Sequence, residues 1–306
     1  MDRIKYFLFL ILFLLSSSVF SQNQVKLKDT TYWQKSFAGG INFNQAQFSN
    51  WSGGGVNSMS LGALVNARSL YQKEKWSWDN TADLQLGYVY QESIGTRKAA
   101  DQIFINSVAG YKIAKKWDFF ISGLFNTFFA PGYLYGAKKS DPNKGGDSLV
   151  SNFMSPAQLT FAVGVAYKPT DWFSVRISPF APRFTFVLDD AVRTEINGVK
   201  QKAYGVEPGK KVRAEWLAFQ LQAVLDKKIS TNVHFKAGYL MYMSYENFGK
   251  IDHRLDANIA MKITKWISVQ GGIILMYNKD YSSNVQLQQT LGIGFLYNTS
   301  TFYQKK

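Results

Sequence analysis

Few residues in this chain can do covalent chemistry. Its 306 residues include two histidines, His234 and His253, and no cysteine. Thiol nucleophiles, disulfides, Cys-ligated zinc and Fe–S centres are therefore excluded. Two imidazoles are too few for a multi-histidine metal centre. A Ser–His pair is the remaining nucleophilic option, because an imidazole can take the proton of an attacking hydroxyl. For a hydrolase acting on outer-leaflet lipid, the expected pairing is His253 with a serine such as Ser244. A lone histidine at a strand end is more ordinarily structural, so the expectation is no catalytic residue, no metal and no cofactor. Gly53-Gly54-Gly55 lacks the Lys and Ser/Thr that complete a phosphate-binding loop, and no G-x-S-x-G elbow occurs. Asp189-Asp190 reads as loop charge.

The other candidates are charged residues that recur at every second position. From Val233 to Tyr245, Phe235, Tyr239, Met241 and Met243 alternate with His234, Lys236, Tyr242 and Ser244. Successive side chains of a strand point to opposite faces, so such a segment has one apolar and one polar face. The same phase puts Arg68, Asp79, Asp83, Lys112, Lys168, Arg176, Lys236, Arg254, Asp256 and Lys262 on the polar faces. If those faces enclose an interior, two readings follow. Internal ion pairs fill a narrow space, since an unpaired buried charge is costly. Alternatively, the basic residues line a pore that favours anionic solutes.

Alternation predicts twelve strands, over about 33–47, 57–71, 76–91, 100–114, 117–129, 156–168, 171–188, 213–227, 232–245, 251–264, 266–278 and 284–297. Pro179 and Pro182 bend or divide the seventh, so 171–190 holds one strand or two. Short connections (such as Glu74-Lys75 and Lys115-Lys116) alternate with longer ones near 48–56, 92–99, 130–155, 189–212, 246–250 and 279–283. Most strands exceed the 5–6 residues usual in soluble proteins. Aromatics gather near strand ends, among them Trp76, Trp78, Tyr88, Tyr90, Tyr111 and Trp117. Long strands, aromatic ends and alternating loop lengths predict an all-β fold: a closed antiparallel transmembrane β-barrel of about twelve strands. A soluble β-sandwich is the competing expectation.

Residues 1–21 carry Arg3 and Lys5, then an apolar run from Tyr6 to Leu15, then Val19-Phe20-Ser21. That is the layout of a secretory signal peptide, too short to span a membrane. The expected organisation is signal peptide 1–21, lead 22–32, barrel 33–297 and tail 298–306. The chain has 35 basic and 21 acidic residues, a formal net charge of +14. Many of the basic residues fall in the predicted outer loops (Lys98, Lys138, Lys139, Lys144, Lys200, Lys202, Lys210, Lys211 and Arg213), where anionic lipopolysaccharide is an expected partner. Dispersed basic residues and the absence of a recognised module argue against nucleic acid. Outer-membrane lipids, a small solute and other envelope proteins are the remaining partner classes, and the expected location is the bacterial outer membrane.

Several segments carry a family resemblance. They are Phe48 to Ser58, Trp76-Ser77-Trp78-Asp79-Asn80, Arg97-Lys98, Phe129-Ala130-Pro131-Gly132-Tyr133, Ser151-Asn152-Phe153, Tyr167-Lys168-Pro169 and Leu291-Gly292-Ile293-Gly294-Phe295. In order and spacing, from about residue 33 to 297, the chain resembles the uncharacterised outer-membrane family known as domain of unknown function 3078. The resemblance implies an exported barrel of a double-membraned bacterium and no particular activity. Within it, Asn50, Trp51, Gly53, Gly54, Gly55 and Asn57 form the most unusual loop. Its glycines permit close backbone approach, giving either a tight loop pinned by Trp51 or a surface that contacts a ligand. The functional expectation is a narrow channel or passive transporter for small solutes, an anionic one among the candidates. The alternatives are a structural or assembly component of the outer membrane, and a lipid-modifying enzyme.

Overall fold

Period-two alternation becomes eighteen strands in a computed structural model. The structure describes residues 32–47, 56–92, 94–135, 146–196, 198–264 and 267–300. The expected signal peptide, nearly all of the lead, and Asn50, Trp51, Gly53, Gly54 and Gly55 lie outside the described residues. In chain order the strands are β1 Trp33–Ala46, β2 Ser58–Lys73, β3 Trp76–Gln91, β4 Gly95–Ala114, β5 Trp117–Thr127, β6 Gly132–Leu134, β7 Ser148–Ser151, β8 Ala157–Thr170 and β9 Phe173–Phe180. They continue as β10 Arg183–Phe186, β11 Glu195–Ile196, β12 Val199–Lys200, β13 Val212–Glu215, β14 Ala218–Lys228, β15 Val233–Ser244, β16 Ile251–Lys262, β17 Ile267–Tyr277 and β18 Gln286–Ser300.

Twelve of them close a ring. The order β8-β5-β4-β3-β2-β1-β18-β17-β16-β15-β14-β9 returns to β8 through the β8–β9 pairing, antiparallel throughout. Every stave has two neighbours, so no backbone edge is left for lipid to face. The fold is a closed, twelve-stranded transmembrane-type β-barrel.

Three departures from the sequence reading have local causes. The seventh predicted strand is two, β9 and β10, divided at Ala181-Pro182; β9 pairs with β14, while β10 pairs with the outer half of β8 and with β13. The long connection expected over 92–99 is a short turn, because Thr96, Arg97 and Lys98 continue the ladder opposite Tyr90, Val89 and Tyr88. The last strand runs to Ser300, beyond the expected end at 297, because β1 supplies partners out to Ser36↔Ser300.

The outer surface is apolar where a soluble protein would be polar. Ile41, Leu291, Ile293 and Phe295 are 60%, 82%, 61% and 70% exposed, which only a hydrocarbon surround makes favourable. Aromatics mark both limits of this band. At the short-turn end, Trp33 packs on Tyr71 and Trp78, Trp76 on Tyr111, and Trp117 on Tyr167. Lys73, Lys75 and Lys227 lie over the rings of Tyr32, Tyr111 and Trp172. Their amines reach toward water while their stems cover apolar surface. Tyr88 and Tyr90 lie toward the other end. On β3, Trp78 and Tyr88 share the outer face ten positions apart. At about 3.3 Å per residue and a tilt of about 45°, they stand about 23 Å apart along the membrane normal, close to the ~25 Å apolar band of such barrels.

Candidate functional site

The inner face is the candidate site. Small residues make room on it, among them Gly62, Gly87, Ala162, Gly164, Gly238 and Gly272. Into that space project the charges selected from the sequence. Arg68 grips Asp79 with two hydrogen bonds, Nε to Oδ1 at 2.9 Å and Nη2 to Oδ2 at 2.8 Å. The second arm of Arg68 reaches Asp226 at 3.7 Å. Asp83 accepts from Asn66 at 2.7 Å and from Lys236 at 3.5 Å. Arg254 holds Asp256 with two bonds, at 2.8 and 2.7 Å, and reaches Gln102 at 3.4 Å.

These contacts acquire meaning from the ring order. Arg68–Asp226 joins β2 to β14, Asp83–Lys236 joins β3 to β15, and Gln102–Arg254 joins β4 to β16. Each pair of strands stands six places apart in a ring of twelve, on opposite walls. The lumen is therefore crossed at three successive levels, from the short-turn end outward. Four cations (Arg68, Arg176, Lys236, Arg254) face four carboxylates (Asp79, Asp83, Asp226, Asp256), so the mid-lumen is formally neutral. It is still wet: the side chains of Arg68 and Lys236 are 35% and 41% exposed.

Arg176 belongs to the same set, donating to Gln222 at 3.0 Å. Lys168 pairs with Asp118 at 2.5 Å near the short-turn mouth. Lys112 and Lys262 are exposed at that same end and form no ion pair with described residues. Asn57, the described member of the glycine-rich loop motif, donates to Glu92 at 2.7 Å across the β2–β3 pair.

Above the third tie lies a structure that alternation did not reveal. Residues 187–196 and 198–211 form a lid with its own small core of Val187, Val192, Ala203 and Val206. Arg193 pins it by donating to Asp190, to the Val206 carbonyl at 2.7 Å and to the Lys210 carbonyl at 2.8 Å. Asp189 is braced by Asn152 at 2.8 Å and by the Ala191 N–H, and these bonds hold its carboxyl below the usual range.

The lid crosses the mouth to the β17–β18 connection. There Tyr204 packs edge-on against Tyr281 with centroids 4.8 Å apart. Arg213 bonds Asp280 at 2.5 Å and Glu215 at 2.8 Å, and Lys250 bonds Asp280 at 2.8 Å. Burial pushes the Asp280 carboxyl up, but the bonds from Lys250 and Arg213 outweigh it and leave it below its ordinary range. Gly205 sits against this latch with φ +81°, and a Cβ there would collide with the Arg213 guanidinium. Beneath the lid, Arg183 bonds Asp252 at 2.5 Å and lies over the Tyr242 ring at 3.2 Å. Arg183, Tyr242, Asp252, Arg213 and Asp280 line a pocket of about 20 Å³, room for a single water.

The histidines do not assemble a dyad. His253 bonds the Tyr239 hydroxyl at 2.8 Å on the outer face, while Ser244 is buried on the inner one. His234 bonds Asp226 at 2.6 Å. Among the described residues, neither ring bonds a serine hydroxyl. Several expected outer-loop cations are spoken for within the chain. Lys98 bonds Asp101, Lys202 bonds Glu207, Lys211 bonds Asp190, and Arg213 forms the latch. Lys138, Lys139 and Lys144 lie outside the described residues. The motif segments at 97–98 and 129–133 also meet. Lys98 donates to the Ala130 carbonyl at 2.7 Å, and Asp101 accepts from the N–H groups of Phe129 and Ala130. They form a loop brace at the mouth.

Residues 43–133 match the family described as protein of unknown function (DUF3078). Residues 191–298, covering most of the lid and the last five staves, match a second family of unknown function (DUF481). The first match is shorter than the 33–297 span of the resemblance read from the sequence. No curated protein matches the chain. Among solved structures, the chain is similar to the CymD monoaromatic hydrocarbon channel (13% identity, 89% of each chain covered, TM-score 0.34). It is also similar to the COG4313 outer membrane channel from Pseudomonas putida F1 (10% identity, 90% of this chain and 100% of that one, TM-score 0.34). A third is the translocator domain of the autotransporter NalP from Neisseria meningitidis (11% identity, 86% and 87% covered, TM-score 0.35). The fold assignment rests on the closed strand ring itself.

Proposed function

We propose that this protein resides in the bacterial outer membrane as a narrow channel whose resting lumen is held shut by side chains meeting across it. The observation that carries the proposal is the set of three contacts between opposite walls. A packed small barrel would bury these groups, and a wide pore would keep its walls apart. Here the walls touch through polar groups that remain wet, the arrangement of a path that small solutes enter slowly. The paired charges do not favour anions, so the proposal leaves out anion preference.

Planar-bilayer recording tests it. The purified wild type is expected to show rare, small openings. Breaking two ties together with the charges that balance them (Lys236→Ala with Asp83→Ala, and Arg254→Ala with its same-strand partner Asp256→Ala) leaves no stranded charge and is expected to raise conductance severalfold. Silence in both proteins would favour the second reading, a structural component of the outer membrane, which the charge pairing across the mid-lumen also suits. Co-purification with envelope proteins after gentle extraction would then be its support.

A further inference from the structure

The level just below the lid holds polar groups that the chain itself does not satisfy. Ser178 on β9, Gln220 on β14 and Tyr242 on β15 are 1%, 4% and 2% exposed. Register places them side by side, Ser178↔Gln220 and Gln220↔Tyr242. The Ser178 hydroxyl, the Gln220 Oε1 and the Tyr242 hydroxyl are each buried without a hydrogen-bond partner. Three adjacent orphans at one level are unusual, because a buried polar group left unbonded forfeits its hydrogen bonds to water with nothing in return. All three are neutral. The charged groups on the lid side are already matched: Arg183 with Asp252, and Arg213 and Lys250 with Asp280 and Glu215; on the side away from the lid, Arg176 donates to Gln222. A cation stripped of water at this level would find no free carboxylate to offset its desolvation, and an anion only the Arg176 guanidinium, already held by Gln222. A neutral molecule bearing hydroxyls would find three unused hydrogen-bonding groups and the rim of an aromatic ring.

We infer that Ser178, Gln220 and Tyr242 form the selective constriction of the path, and that it passes small uncharged hydroxylated solutes in preference to ions. The inference rests on the channel reading and names its solute class. The pocket on the Tyr242 side has room for one water, and a solute enters as Arg183 lifts from the Tyr242 ring.

Vesicle uptake tests it with the full mature chain reconstituted in liposomes. Erythritol, a four-carbon polyol, is expected to enter severalfold faster than into protein-free vesicles. Chloride, driven by a potassium gradient with valinomycin, is expected to stay at the protein-free rate. Gln220→Leu combined with Tyr242→Phe is expected to lower erythritol uptake severalfold, while Gln220→Asn alone retains most of it. All variants are checked for the heat-dependent gel shift of a folded barrel. Chloride uptake equal to or faster than erythritol uptake would overturn the inference and leave the channel standing. An unchanged erythritol rate in the double variant would overturn the assignment of the constriction. Uptake of neither solute would overturn the channel reading itself.

Discussion

At the scale of single residues, the mid-lumen charges are explained by the partners they meet. Alternation along the strands put Arg68, Asp83, Lys236 and Arg254 on the polar face. It could not show that Asp83 meets Lys236, since the two are 153 positions apart and only ring closure brings them together. Arg183 and Asp280 carried no periodic signal at all. Pro179 and Pro182 interrupt the alternation of the predicted 171–188 strand just before Arg183, and Asp280 lies in a loop. Asp280 also makes the lid pH-dependent. Its carboxyl titrates below its ordinary range because Lys250 and Arg213 bond its charged form. A carboxylate with a lowered folded value stabilises the latched state fully above the unfolded value of about 4, and that contribution is lost as pH falls through the lower folded value. The Asp280 share of the latch should therefore persist at pH 5 and be lost only below the ordinary carboxylate range, whereas Glu215, pushed up by burial, gives up its bond to Arg213 at higher pH. Protease cleavage within 187–211, read with an acid-active enzyme between pH 5 and pH 2, checks this. In Asp280→Asn, cleavage should be raised at every pH.

At the scale of elements, the closing seam is the most demanding part of the fold. The β8–β9 ladder is irregular, with register shifts between Val163 and Val165 and between Tyr167 and Thr170. Gly164 sits in it, and a Cβ at that position would run into the backbone carbonyl of Ile177. Gly164→Val is expected to block closure. The measurement is the heat-dependent shift on a gel, which should be absent in this variant and retained in Gly238→Ala, where a Cβ meets nothing. Staves such as β3 and β15 were legible because ten or more residues repeat one alternation. The lid was not, because two-residue strands, a single 3₁₀ turn and four small apolar residues leave no period to detect. Its order comes instead from one arginine bonding several carbonyls, a pattern that emerges only in three dimensions.

At the scale of the whole molecule, two opposite surfaces define the protein: an apolar outside and a cross-linked polar inside. The outside predicts how substitutions sort. Ile293, near the middle of β18 and 61% exposed, faces hydrocarbon. Ile293→Arg should cost about 2–4 kcal/mol in lipid, the value for a cation at the midplane of such a barrel. Ile293→Leu should cost much less. Urea unfolding in short-chain lipid vesicles gives both numbers, and equal small effects would mean that this face is not in the membrane. The inside predicts proximity. Because the chain has no cysteine, a pair placed at Asp83 and Lys236 reports on these two positions alone. In intact membranes, a short bifunctional methanethiosulfonate should join Asp83→Cys to Lys236→Cys in nearly every molecule. The outward pair Leu84→Cys and Phe235→Cys should remain unjoined. Failure of the inner pair to cross-link, with both cysteines reacting freely with a bulky thiol reagent, would show an open lumen and contradict the account.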